Sequence, residues 1–150
     1  MDNRIYTSRR QAIVDALVTK MKEINGVNPF ITDLEGVVSN RLLFWDEVDN
    51  FPAVHITAGA ETRQYQGGGY KDRFLMVTIR CYVNEEEANL ALEGLLEDVE
   101  TVLEDCSRLV YKDRLGADQT TQQISIISIQ TDQGVLEPLG VGEIECEVRY

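Results

Sequence analysis

The stretch Arg73-Phe74-Leu75-Met76-Val77-Thr78-Ile79-Arg80-Cys81-Tyr82-Val83, running into Asn84-Glu85-Glu86-Glu87, decides the fold. Leu75, Val77, Ile79, Cys81 and Val83 share one phase, and Met76, Thr78, Arg80 and Tyr82 share the other. That two-residue period predicts a strand with one buried face. At Asn84 the period changes. Asn84 with Glu87 three residues later fits a capping box, and it predicts a helix running to about Cys106. Ala88, Leu92, Leu95, Leu96, Val99, Val102, Leu103 and Cys106 then fall on one stripe, as in a half-buried helix. A rise of ~1.5 Å per residue makes that helix roughly 33 Å long. At ~3.3 Å per residue the strand is roughly 36 Å long, so the two elements match along their lengths.

Working outward, the 150 residues suggest one domain that buries roughly 68–70% of its unfolded surface without needing a disulfide or metal. Cys81, Cys106 and Cys146 are odd in number, widely spaced and all on apolar phases, so they read as small core residues. Arg4, Arg9, Arg10, Asp15 and Lys20 interrupt the first 25 residues, leaving no apolar block for a signal peptide, and nothing later is long enough to span a membrane. A cytosolic protein is expected. The net charge of −12 argues against tight binding to a phosphate backbone, because that affinity comes from lysines and arginines displacing counterions.

Ser8 with Gln11 makes a second capping box for a helix carrying Ile13, Ala16, Leu17, Met21 and Ile24, stopped by Asn25-Gly26. Arg9 and Arg10 sit in its first turn, where positive charge opposes the helix dipole. They are either solvated or in contact with an acidic neighbour such as another subunit. Phe30–Val38 reads as a strand, Leu42-Leu43-Phe44-Trp45 as an apolar cluster, and Ala53–Thr57 as a short strand entered through Pro52. His55, the single histidine, has no ligand-spaced partner and reads as a packed or surface imidazole.

Ala58–Asp72 is polar and reads as a long flexible hairpin arm. Gly67-Gly68-Gly69 precedes a strand rather than a helix, which speaks against a phosphate cradle. Tyr65, Gln66, Tyr70, Lys71 and Arg73 are side chains suited to an interface, although a plain solvent-exposed loop accounts for them too. Between Asn84 and Ser107 there is no lysine or arginine, and the expected helix carries acids along its exposed side. A solvated face is the ordinary reading, and docking to a basic partner is the sharper one. Leu109–Thr121 reads as a polar connection. Ile124, Ile126, Ile127 and Ile129 predict a central or bulged strand. After a turn region from Thr131 to Gly140, Ile144, Cys146, Val148 and Tyr150 alternate with Glu143, Glu145 and Glu147, a carboxylate row that requires water or cations.

No catalytic pair, cofactor motif or metal spacing appears, so an enzyme is not expected. The order of elements resembles the tail terminator (tail completion) proteins of lambda-like siphophages. The resemblance is carried by Phe51-Pro52-Ala53-Val54-His55-Ile56, by Phe74–Val83 running into the Glu85 helix, and by Thr131–Gly140 before a last strand ending Val148-Arg149-Tyr150. It implies a single α+β domain over residues 1–150, a mostly antiparallel sheet with two helices on one side and a long hairpin arm. It also implies a hexameric ring that caps the tail tube, ends its polymerisation and meets the neck or head-completion proteins. The site would be virion tail, assembled in the host cytoplasm, with no cofactor, metal or membrane involved.

Under that resemblance the expected tube or ring interface is Arg9, Arg10, Tyr65, Gln66, Gly67, Gly68, Gly69, Tyr70, Lys71, Arg73, Arg80 and Tyr82. Glu143, Glu145 and Glu147 would line the channel, where negative charge lets DNA pass without specific binding. Arg9 and Arg10 would find a partner in the acidic helix of the next subunit. A head-tail joining (neck) protein is the nearest alternative. A small-ligand-binding α+β domain is the alternative from another class, and it would need a concave pocket with convergent polar groups.

Overall fold

In a computed structural model, which describes residues 8–34, 37–40 and 48–150, the sheet is built around one long strand. This strand, β3 (Lys71–Asn84), pairs antiparallel on one side with β2 (Ala53–Tyr65) and on the other with β7 (Leu139–Arg149). Strand β1 (Val38–Ser39) adds to β2 in parallel, and β6 (Gln123–Thr131) adds to β7 antiparallel, giving the order β1-β2-β3-β7-β6. Helices α1 (Arg9–Met21) and α2 (Ala88–Asp105) pack on the sheet face that carries Leu75, Val77, Ile79 and Cys81, so the α+β class is as expected. The expected cluster Leu42–Trp45 and Glu35 of the expected first strand lie outside the described residues.

The alternation in β3 and β7 holds: Leu75, Val77, Ile79, Cys81, Ile144, Cys146 and Val148 are fully buried. Burial pushes the Cys81 and Cys146 thiols up to about 12 and Cys106 to about 11, as befits cysteines serving as small core residues. Ser8 caps α1 as expected, its Oγ accepting from the Gln11 amide at 3.1 Å. The helix ends at Met21, before Asn25-Gly26.

Several expectations are corrected. The Asn84–Glu87 capping box does not form. Asn84 stays in the ladder opposite Leu139, the Glu85 amide donates to the Pro138 carbonyl, and α2 begins only at Ala88. Sheet pairing satisfies the backbone there, so the carboxylate has no orphan amide to cap. Phe30–Leu34 is not a strand apart from a single bridge between Asn25 and Asp33, and its amides turn to a side chain of α2 instead. Strand β2 does not stop at Thr57 but continues to Tyr65, with a bulge between Ala58 and Glu61. Leu109–Thr121 is not a plain connection either, since Val110–Lys112 (β4) and Asp118–Thr120 (β5) form a small hairpin against α1. Strand β6 is bulged between Ile126 and Ser128 but lies at the sheet edge rather than its centre, with Ile127 56% and Ile129 42% exposed.

Two close approaches set the height of α2 above the sheet. A side chain at Gly140 would place its first carbon 2.7 Å from Val83 Cγ2 and 3.3 Å from the Ala88 carbonyl. One at Gly142 would come within 3.1 Å of Leu92 and Leu96. At Gly94, inside α2, the corresponding contact is with Ile31 at an ordinary 3.5 Å, so the helix glycine seats the 31–32 loop without demanding it.

Candidate assembly surfaces

The sheet face opposite the helices carries the alternate residues of β3 and β7. Thr78 lies opposite Glu145, Arg80 opposite Glu143, and Met76 opposite Glu147. Side chains bridge two of these pairs: Arg80 Nε donates to Glu143 at 3.1 Å and the Thr78 hydroxyl donates to Glu145 at 2.8 Å. The expected carboxylate row therefore exists and is half-exposed, but Arg80 neutralises part of it. Arg80, expected at a subunit interface, and the three glutamates, expected in a channel, share one face.

Glu145 is held above the ordinary carboxylate range, first by desolvation and then by the neighbouring Glu143, with the Thr78 hydrogen bond working against both. A carboxyl whose folded value is raised contributes its stability at low pH and loses it as pH rises through that value. Glu145→Gln removes the ionisation while keeping an oxygen for Thr78 to donate to. The variant is expected to melt above the wild type at pH 8, with the gap closing towards pH 4. Equal melting temperatures at both pH values would rule out this strain.

Tyr82 is corrected. It lies on the outward phase but is only 1% exposed, packed against His55 with ring centroids 5.1 Å apart, so it is not an accessible interface residue. His55 is itself buried, and its basicity is lowered by desolvation and then by the Arg80 charge. It is a packed imidazole.

The long hairpin arm is present, and its flexibility is corrected. Thr62 pairs with Phe74, Arg63 with Arg73, Gln64 with Asp72 and Tyr65 with Lys71, so the arm is a hydrogen-bonded ladder rather than a flexible loop. Only Gln66–Tyr70 turns, closed by a 2.7 Å bond from the Gln66 amide to the Tyr70 carbonyl. Gly68 and Gly69 take φ of 77° and 84° in this turn, a region that costs other residues free energy. Tyr65 and Tyr70 stand 71% and 76% exposed at the tip, with the Lys71 ammonium 6.0 Å from the Tyr65 ring. Two exposed tyrosines on a paired ribbon form a preorganised contact surface.

At the base of the arm, on the helix side, lies a polar cluster that periodicity did not reveal. The Tyr150 hydroxyl and Arg63 Nε both donate to Glu61, the latter at 2.8 Å. Desolvation tends to raise Glu61, but these two hydrogen bonds outweigh it and hold the carboxyl below its usual range. The Arg73 guanidinium lies 5.4 Å from the Tyr150 ring centre, and Arg10 donates to the Gly59 carbonyl. The bulge after Ala58 shifts the register to set Glu61 opposite Leu75, on the helix side. No spacing rule signals that placement.

Among the described residues no group of histidine, cysteine or acidic side chains could hold a metal. The groove of about 280 Å³ between α1 and the β4–β5 hairpin has its charged lining already engaged. Lys112 pairs with Asp118, and Asp15 accepts from Gln11 at 2.8 Å and Asn40 at 3.3 Å. It lacks the convergent free polar groups of a ligand site.

Residues 7–150 match the family model described as Bacteriophage Tail Tube Terminator Protein. The chain is 34% identical over 157 aligned positions to the "Tail tube terminator protein p142" of Escherichia phage T5, covering all of this chain and 94% of that protein. A chain of the "Virion of native gene transfer agent (GTA) particle" superposes with a TM-score of 0.57 at 11% identity, covering 92% of this chain and 96% of its own length, which is a likeness of fold.

Proposed function

This chain belongs to the tail tube terminator proteins of bacteriophages, and on that premise we propose that it caps the finished tail tube as a ring and stops its growth. The full-length match to the family is the observation that carries this reading. Its role is structural: the work of such a protein is to present surfaces, and this subunit offers three. The tyrosine-tipped ribbon at Gln66–Tyr70 projects from the subunit and meets the tail tube protein or the neighbouring ring. The sheet face with Glu143, Glu145 and Glu147 faces the channel, where its negative charge keeps DNA moving without capture. The subunit edges join copies into the ring, with six as the expected number, and the far side of the ring meets neck or head-completion proteins. Assembly takes place in the host cytoplasm and the product resides in the virion tail.

The deciding experiment is electron microscopy of particles made without this protein. Tails of uncontrolled excess length are expected. Tails of normal length separated from filled heads would instead identify a head-tail joining protein and overturn the terminator assignment.

A further inference from the structure

Taking the ring as given, we infer that successive copies join by their two opposite sheet edges, the arginine-bearing β2 edge of one copy receiving the acidic α2–β6 edge of the next. The two edges lie at opposite ends of the order β1-β2-β3-β7-β6. At the first, Arg10 reaches the Gly59 carbonyl of β2 and Arg63 pairs with Glu61, while Arg73, opposite Arg63 on β3, lies over the Tyr150 ring. Arg9 acts on Asp113, so Arg9, Arg10 and Arg63 outnumber the acids they face, Glu61 and Asp113, in a chain of net charge −12. Past His55, β1 no longer covers β2, so this stretch of edge has no strand beside it among the described residues.

At the second edge, Glu93 flanks a groove with Leu96 and Ile129, and Glu100 and Glu104 flank another with Ile124 and Ile126. No lysine or arginine lies between residues 84 and 107 to offset these acids. The outer side of β6 is also unpaired among the described residues, and Ile127 projects from its bulge. A nine-residue edge strand bearing exposed isoleucines is a surface that proteins ordinarily cover.

Charge decides the partner. Two copies of so acidic a chain repel in most orientations, and the juxtaposition of these unlike edges replaces repulsion with attraction. Because the two patches differ, each contact leaves a free edge of either kind, so the contact propagates head to tail instead of ending at a dimer, as a ring requires.

The test supplies variants in trans to the phage lacking this gene and counts infectious particles. Arg10→Glu with Arg63→Glu reverses one edge, and Glu100→Lys with Glu104→Lys reverses the other. Each pair alone is expected to lower the yield at least 100-fold. All four in one chain, or an equal mixture of the two reversed chains, restores opposite charge at every contact and is expected to recover the yield to within tenfold of wild type. A combined chain that melts as the wild type does yet yields no better than the worse single reversal overturns the edge pairing, and where that chain misfolds the equal mixture of the two reversed chains, each folded, decides in the same way. So does an undiminished yield from either reversal. Normal-length tails in the absence of the protein would instead bring down the terminator reading itself, so the two failures are distinguishable.

Discussion

Asp98→Ala is expected to destabilise the subunit by about 2–4 kcal/mol, because it strands two amides that have no other partner nearby. Asp98 is only 1% exposed and lies on α2 among residues whose apolar spacing defines the buried stripe. Its carboxylate accepts from the Ile31 amide at 2.9 and 3.1 Å and from the Thr32 amide at 2.6 Å. A carboxylate gripping successive backbone N–H groups is a charge-assisted pair, stronger than neutral bonds. Alanine removes the acceptor and opens the space beneath the 31–32 loop, whereas Asp98→Asn retains one acceptor oxygen and should lose about half as much. Urea unfolding of the three proteins at pH 7 measures the difference. A loss below about 1 kcal/mol for the alanine variant would mean that water replaces the carboxylate and that the loop is not held by it.

Gly140→Val should be nearly as damaging, at about 2–3 kcal/mol, since overpacking a closed interface forces backbone or rotamer shifts. The first added carbon already meets Val83 inside 3.0 Å, and the two branches beyond it would press on α2 at Ala88. In a chain of this size that loss corresponds to a melting temperature lower by roughly 4–12 °C. The expected order is wild type, then Gly140→Ala, then Gly140→Val. An unchanged melting temperature for the valine variant would show that α2 is free to lift from the sheet.

These residues mark where the sequence was legible and where it was not. Strict alternation from Leu75 to Val83 and from Ile144 to Val148 identified two neighbouring strands with their buried faces, because a half-covered sheet imposes that period directly. The α2 stripe was equally clear, yet Asp98 sat unnoticed among the helix acids. A buried carboxylate satisfied by backbone amides 66 and 67 residues away leaves no local trace. The arm was read as a hairpin but a flexible one because its residues are polar, while in the fold it is a two-stranded ribbon whose pairing satisfies the backbone and leaves the side chains wet. Isoleucines on both phases of β6 left a central strand and a bulged one open, and the bulge between Ile126 and Ser128, at a sheet edge, is what produces the pattern.

For the candidate surfaces, composition singled out Tyr65 to Tyr70, which stand exposed at the tip of the arm. Tyr82 was misassigned because phase alone does not report what covers an outward face. The arginine cluster around Glu61 became visible only with the bulge that turns Glu61 to the helix side.

Strand order also governs when a subunit comes into being. The two strands that flank β7 are β3 and β6, and β7 leaves the ribosome after both, where chains emerge at about 5–20 residues per second. Until residues 139–149 appear, β3 lacks one neighbour, β6 has nothing to pair with, and α2 has no glycine floor to settle on. Completion of the sheet thus waits for residues 139–149, because it depends on pairings such as Phe74 with Arg149 that lie far apart in the chain. A nascent polypeptide short of β7 displays neither a finished β6 rim nor the Tyr150 contact beside the arginines, so a half-made subunit lacks both of the edges through which copies would join.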